Sequence, residues 1–400
     1  MRRILALGAA VVATLGALTT ASTAQVPRTP DGWVGTWAAA PATGVADTPQ
    51  GYPNYSIRNV VHTSTAGAKA RIRLSNAFGT TPLVFGHVTI ALAAGPGTPR
   101  AAAGTMRPLT FGGQPSVVVP AGAEVQSDPA QLRVPADADL LVTTFVPSPS
   151  GPVTYHPSAA QTSFFTRNGD FAAEESGTSF TEQTTSWHYL TEVDVEGTAP
   201  GAIVAFGDSI TDGTGSTLGA NHRWPDLLSD RLHGTYGVLN AGIGGNRLLL
   251  DVPGSPYGRN ALARFADDVL SVGGVRTLIV FEGINDIQQD PHQTDPALLI
   301  SAQRQLIAQA KAHGIRVLGG TVTPFKGWRA YTEPLEQTRQ ALNQFIRTGG
   351  AYDGVIDFDA AIRDPADPHA MLPAYDSGDH LHPNDAGYQK MAAAVDLSRL

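Results

Sequence analysis

A serine closes the segment Ala202-Ile203-Val204-Ala205-Phe206-Gly207-Asp208-Ser209, and far downstream His382 stands three residues after Asp379 in Asp379-His380-Leu381-His382-Pro383. A hydroxyl, an imidazole and a carboxylate are what covalent acyl transfer needs. The imidazole takes the hydroxyl proton as the oxygen attacks a carbonyl, and the carboxylate holds the other ring nitrogen. His380 is a rival base. Two further segments supply neutral hydrogen-bond donors. In Asn240-Ala241-Gly242-Ile243-Gly244-Gly245-Asn246, the glycines let the backbone turn N–H groups inward, as an oxyanion hole requires. In Gly283-Ile284-Asn285-Asp286, Asn285 offers a side-chain amide with no charge to compete with the nucleophile. Each segment also has a plainer reading, as a helix N-cap, a tight turn or Asn-Asp turn chemistry. Together, and in this order along the chain, they point to a hydrolase working through an acyl-serine. A metal site built from Asp376, Asp379, His380 and His382 is the alternative. The chain has no cysteine and no H-E-x-x-H pattern to support it. Neither a metal nor an organic cofactor is expected.

These groups must be held by an ordered framework. After Pro200, strands are expected at Ala202–Phe206, Tyr236–Asn240, Thr277–Glu282, Arg316–Thr321 and Gly354–Asp357. Helices are expected at Trp224–His233, Asn260–Ser271, Ala297–His313, Pro334–Thr348 and Asp385–Ser398. Leu298, Leu299, Ala302, Leu306 and Ala310 recur at helical spacing, with Asp295-Pro296 as cap and first turn and Gly314 as stop. Alternating strands and helices imply α/β architecture, a five-stranded parallel sheet covered on both faces. Three of the four segments then lie at the carboxyl ends of strands, where open α/β sheets place their chemistry, and Asp379–His382 comes after the last strand.

The preceding region reads differently. Alternating patterns at Ile57–His62, Ala70–Leu74 and Leu83–Leu92, with shorter candidates at Ser116–Val119, Gln131–Val134, Leu140–Phe145 and His188–Val195, are separated by glycine- and proline-bearing turns. No helical pattern competes. An all-β sandwich is expected, with a jelly roll as one arrangement that fits. The first residues carry two arginines, an apolar run to about Thr20, and small residues at Ser22 and Ala24, the order of a secretory signal peptide. The expected organisation is therefore a signal peptide at 1–24, a β-sandwich accessory domain at 25–197 and a hydrolase domain at 198–400, exported with cleavage after Ala24. Without cysteine, an exported chain has no disulfides, and both domains must rest on packed cores.

The net charge of −8, from 35 acidic and 27 basic side chains without any basic cluster, argues against nucleic acid or an anionic membrane as partner. No stretch after the leader is long and apolar enough for a membrane span. Nothing in the sequence fixes an oligomeric state.

The segment from about 202 to 395 resembles the SGNH (GDSL-type) hydrolase superfamily, whose four blocks match at Gly207-Asp208-Ser209, Asn240–Gly245, Gly283–Asp286 and Asp379–His382. The resemblance implies a three-layer, flavodoxin-like domain with Ser209 as nucleophile, His382 as base and Asp379 as its partner. It also implies an oxyanion hole from the Ser209 and Gly245 backbone N–H groups and the Asn285 amide, with Gly244 as the alternative in the glycine run. More loosely, Trp33-Val34-Gly35-Thr36-Trp37, Arg71–Asn76 and Gly283–Ile287 make the chain similar to a secreted two-domain subgroup, the xylan-associated arylesterase-like acylhydrolases. The implied activity is hydrolysis of small-molecule or polysaccharide esters, short-chain, aryl or acetyl. A lipase or phospholipase is the alternative enzyme, and would use Leu248–Pro253 as an exposed apolar surface. An alternative of another class is a carbohydrate-binding protein with an inert hydrolase-like domain. For that reading Trp33 and Trp37 are the aromatic candidates, although core positions suit them better. Asp208, Asp212 and Asp286 are expected to fix turns and helix starts, and Arg247 and Arg259 to serve structure or surface more than a ligand. Trp224, Tyr257, Phe325, Trp328 and Tyr375 are candidates for the pocket wall.

Overall fold

Residues 32–252 and 254–400 are described by the structure, a computed structural model. The expected signal peptide lies outside them. Among the described residues, no helix is long and apolar enough to cross a membrane.

In the first half, antiparallel strands build two facing sheets. One has the order Trp33–Ala38, Leu190–Glu196, Lys69–Ser75, Glu124–Gln126. The other runs Glu182–Thr184, Ser163–Arg167, Tyr55–Thr63, Ala138–Val146, His87–Leu92, Arg107–Pro108. Ile72, Leu74 and Val193 from the first meet Ile57, Val61, Val88 and Val142 from the second in one core. The region expected as an all-β sandwich is thus an antiparallel β-rich domain. A small sheet of Trp187–His188, Thr154–His156 and Thr43–Gly44 lies at its side.

Three strand assignments need correction. The run Leu83–Leu92 forms two strands, Leu83–Phe85 and His87–Leu92. Between them, the Gly86 N–H donates to Phe145 O, and a Cβ on Gly86 would stand 3.3 Å from Phe145 and Pro147. His188–Val195 is broken by Tyr189, whose φ is 61°. Gln131–Val134 contributes only an isolated bridge, Val134 to Gly67.

The second half is a parallel sheet of β1 (Ala202–Gly207), β2 (Gly237–Gly242), β3 (Val275–Phe281), β4 (Arg316–Gly320) and β5 (Gly354–Ile356), in the order β2-β1-β3-β4-β5. Its helices are α1 (Ser209–Asp212), α2 (Trp224–Leu232), α3 (Ala261–Phe265), α4 (Ile284–Gln288), α5 (Pro296–Ala312), α6 (Glu333–Thr348), α7 (Phe358–Ile362) and α8 (Asp385–Ala393). Phe265 of α3, Leu299 and Leu306 of α5 and Leu342 of α6 cover one face. Trp224 and Leu228 of α2, Phe358 of α7 and Met391 of α8 cover the other. Because both faces are buried, β1 and β3 read as continuous apolar runs. The expected helix Asn260–Ser271 is α3 followed by a π turn, Ala266–Leu270, and the expected Asp385–Ser398 stops at Ala393 before a short 3-10 turn. The four- and five-residue helices α1, α4 and α7 are too short to show a sequence period.

The halves share side chains. Val34 and Ala38 of the first β-domain strand pack into the α/β core beside Leu239 of β2. A Cβ on Gly35 would come within 2.7 Å of Leu239 Cδ1, so a larger residue there would force that side chain to shift. The Val238 N–H donates to Ser64 Oγ at 2.8 Å, and the Gly35 N–H to Gly273 O at 2.9 Å.

Candidate active site

In the order β2-β1-β3 the chain reverses direction of winding at β1, and the crevice beyond the β1 and β3 carboxyl ends is where such sheets take ligands. Ser209 stands at that point, the first residue of α1. Asp208 caps this helix by accepting from the Ile210 N–H at 3.0 Å, and Gly213, with φ 107°, ends it after one turn. The nucleophile candidate is thus fixed on both sides by backbone geometry.

His382 approaches from the loop before α8. Its Nε2 is 2.9 Å from Ser209 Oγ, and its Nδ1 is 2.6 Å from Asp379 Oδ2. The second Asp379 oxygen accepts from the His382 and Leu381 backbone N–H groups at 2.8 and 2.9 Å. Partial burial raises the Asp379 pKa, but the hydrogen bonds from His382 and Leu381 outweigh it and hold the carboxyl far below its ordinary range. It is therefore a carboxylate at any pH near neutral, and orients the ring so that Nε2 faces the serine. His380 does not compete. It turns outward, half-exposed, and pairs with Asp376 at 2.6 Å. The four residues weighed as metal ligands thus form two separate His–Asp pairs.

Three donors face the same cleft. Among the described residues, the Ser209 and Gly245 backbone N–H groups have no protein acceptor, and Asn285 Nδ2 is buried without a partner. All three residues line the cleft together with His382. Gly244 and Gly245 were alternatives, and the hydrogen bonds separate them: the Gly244 N–H donates to Asp212 Oδ2 at 3.0 Å, leaving the Gly245 N–H free. Gly245 has φ 75°, and a Cβ there would run into the Tyr257 ring. The Asn285 side chain is held by its oxygen, which accepts from Gln288 Nε2 at 2.8 Å and Gln289 Nε2 at 3.0 Å. Trp328 Nε1 donates to Gln288 Oε1 at 2.8 Å, and its ring stands edge-on to His382. With the oxygen so fixed, Nδ2 is the end left for a ligand. An oxyanion in this cleft would meet preorganised donors that no other group satisfies.

The GDSL-like lipase/acylhydrolase family matches residues 205–390, a span that contains all four segments. The α/β domain belongs to that family. Among solved structures similar to this GDSL-type domain, each aligned over 48% of this chain, is the M. smegmatis aryl esterase, 18% identical over 95% of its chain with a TM-score of 0.40. A carbohydrate acetylesterase family member from Sinorhizobium meliloti is 15% identical over 94% of its chain with a TM-score of 0.41. A GDSL-like lipase from Bacteroides thetaiotaomicron VPI-5482 is 22% identical over 84% of its chain with a TM-score of 0.37. No curated protein matches.

Below the cleft, the GDSL-type domain buries several charges. Arg264 of α3 donates to Gly207 O at the end of β1 and to Ala241 O in β2, and pairs with Asp268. Its guanidinium lies over Phe206 at 4.1 Å. Burial pushes the Asp208 carboxyl up to about 7 and Asp286 to about 6, and raises Glu282 well above its ordinary value. Asp286 does more than start a helix. Its oxygens accept from the Leu248 and Leu249 N–H groups at 2.7 and 3.0 Å, tying the third segment to the loop after β2. Arg247 is buried and donates to the Asp290 and Pro291 carbonyls, whereas Arg259 pairs at the surface with Asp267. Sequence reasoning passed over Arg264, Gln288 and Gln289. Arginine in a short helix gives no signal of its own, although Gln288 and Gln289 stand one turn after Asn285.

Of the aromatic wall candidates, Tyr257 and Trp328 line the cleft. Trp224 and Phe325 are core residues, and Tyr375 packs against the core. Trp37 is buried edge-on against Trp187, and Trp33 lies under the Arg71 guanidinium. Among the described residues 248–252, no continuous apolar surface forms: Leu248 is core, Leu249 packs on it, and Leu250 is exposed; Pro253 lies outside the described residues.

Proposed function

We propose that this protein is a serine esterase that hydrolyses carboxylic esters through an acyl-serine intermediate. The observation that carries the reading is the Ser209–His382–Asp379 hydrogen-bond relay facing three unpartnered donors in one cleft. Ser209 Oγ attacks the ester carbonyl while His382 Nε2 takes its proton. The Ser209 N–H, Gly245 N–H and Asn285 amide receive the oxyanion. As the C–O bond breaks, His382 returns the proton to the leaving alcohol. Water then enters, gives its proton to His382, attacks the acyl carbon, and the proton goes back to Ser209 as the acid departs.

The walls of the cleft support a substrate class. The cleft is open, about 800 Å³, and Gln289, Asp290, His292 and Arg329 give it polar walls, with Tyr257, Trp328 and Val252 as its apolar surfaces. Such a site suits a short acyl group on a polar or aromatic alcohol, such as acetyl esters of a polysaccharide, better than a long lipid chain. Export with cleavage after Ala24 forms part of the proposal, and N-terminal sequencing of the protein from culture medium checks it. The decisive test is p-nitrophenyl ester hydrolysis across acyl lengths by wild type and Ser209→Ala. Activity that falls with acyl length and is lost in the variant supports the reading. Equal inertness of both proteins on every ester removes it.

A further inference from the structure

His156 lies in the β-rich domain, on the short strand Thr154–His156, yet its side chain ends beside the residues that carry the proposed chemistry. Its Nε2 is 3.0 Å from Asp212 Oδ1, and its Nδ1 is 2.8 Å from Ala40 O. Both partners of the His156–Asp212 pair are 3% exposed. Two acceptors face the two ring nitrogens, so the ring satisfies both only when each nitrogen carries a proton, as an imidazolium. Burial disfavours that charge, but the Asp212 carboxylate and its hydrogen bond, with the Ala40 carbonyl, outweigh it and raise the pKa. Arg223, the other nearby cation, acts against it and is itself paired with Asp226. The Trp187 ring packs alongside the imidazole at 5.5 Å.

Asp212 joins three parts of the molecule. It is the last residue of α1, the single turn that begins with Ser209. One of its oxygens meets His156 of the other domain, and the other accepts the Gly244 N–H at 3.0 Å. Holding the Gly244 N–H fixes the peptide immediately before the Gly245 N–H, the free donor in the cleft. We infer that His156 is a positioning residue through which the β-rich domain, by way of Asp212, locks the glycine loop to the nucleophile's helix and sets the aim of the Gly245 donor. The inference rests on the esterase reading of the site. It assigns the β-rich domain a part in catalysis that requires no contact with substrate.

The test uses the full chain, with His156→Ala and His156→Gln as variants. His87→Ala, which breaks an exposed pair with Asp170 in the same domain, is the control. Active sites are titrated with a p-nitrophenyl phosphonate, so that kcat is counted per competent serine, and KM is measured on p-nitrophenyl acetate. Displacement of one oxyanion donor is expected to lower kcat per site by about tenfold to a hundredfold in His156→Ala, with KM within about twofold. His156→Gln keeps one donor for Asp212 and is expected to recover part of the loss, and His87→Ala to match wild type. The glutamine variant also guards against an alanine variant that fails to fold. A purely structural role would reduce the number of titratable sites and leave kcat per site unchanged. An active wild type with unchanged kcat per site in both His156 variants overturns the inference and spares the esterase reading, whereas an inert wild type removes both.

Discussion

Replacing Asn285 by alanine separates what the site does in the transition state from what it does in the ground state. Asn285 Nδ2 is buried and has no protein partner, while its oxygen is held by Gln288 and Gln289. On the proposed reading, Nδ2 serves the oxyanion, a group absent until the reaction begins. Losing one such donor costs about 2.7–4 kcal/mol of transition-state stabilisation, or about 10²–10³ in kcat. A donor that engages chiefly in the transition state leaves KM nearly unchanged. The effect on stability is a balance. Alanine removes a buried unsatisfied donor, which relieves about 1–3 kcal/mol, but it also leaves Gln288 Nε2 without its acceptor. Gln289 keeps Gly245 O at 3.0 Å. The melting temperature is thus expected to move by only a few degrees while kcat collapses. Asn285→Asp keeps an acceptor for both glutamines but has no donor and adds negative charge, so its kcat should fall at least as far. The assay is steady-state hydrolysis of p-nitrophenyl acetate with active-site titration, beside thermal unfolding. A kcat loss below about tenfold, or a loss confined to KM, would refute the assignment of Nδ2 to the oxyanion.

Three other substitutions probe the surroundings. Gln288→Leu removes one of the two donors on the Asn285 oxygen and the acceptor of Trp328 Nε1. One net hydrogen bond of about 0.5–1.5 kcal/mol predicts a kcat loss of about threefold to tenfold, smaller than that of Asn285→Ala; an equal or larger loss would mean that Gln288 itself touches the reacting group. Gly245→Ala places a methyl group against Tyr257 at a positive φ, and should lower kcat by about tenfold or more while Ser209 still reacts with a phosphonate. Unchanged kcat would exclude the Gly245 N–H as a donor. Asp208→Asn keeps a side-chain oxygen for the Ile210 N–H and removes a buried carboxyl whose pKa is pushed up to about 7 from 3.8. In that window the folded state binds more protons than the unfolded state, so stability contributed by this group is present at low pH and lost as pH rises through 7. The variant is expected to gain melting temperature over wild type at pH 8 and to lose that gain near pH 4. A gain independent of pH would show that Asp208 does not titrate there.

The α/β frame was legible because its signals are local. Apolar runs gave β1 and β3, and Asp295-Pro296 stands as cap and first turn where a helical pattern begins. Three of the site segments fell at strand ends and the fourth in the loop before α8, and the structure brings them to one cleft. What was missed depends on distance or on short elements. Helices α1, α4 and α7 span four or five residues and have no period to read. The choice between Gly244 and Gly245 needed to know where Asp212 points, a fact set by folding. Tyr189 breaks a strand through a left-handed backbone that few tyrosines adopt, and nothing in its type announces that.

The two halves are more interdependent than their sequence textures suggest. A change from alternating β pattern to strand–helix alternation reads as a boundary. Yet Val34 and Ala38 are part of the α/β core, Ser64 Oγ accepts a β2 N–H, and Glu192 and Thr65 accept from and donate to the α/β backbone at Gly273 and Gly234. Removing the β-rich domain would strip β2 of this cover and expose apolar surface together with an unprotected strand edge. It would also remove His156, the buried partner of the Asp212 carboxyl that accepts the Gly244 N–H. The first domain therefore meets the α/β half through packing, hydrogen bonds and one buried ion pair, contacts that a sequence reading confined to the four site segments does not reach.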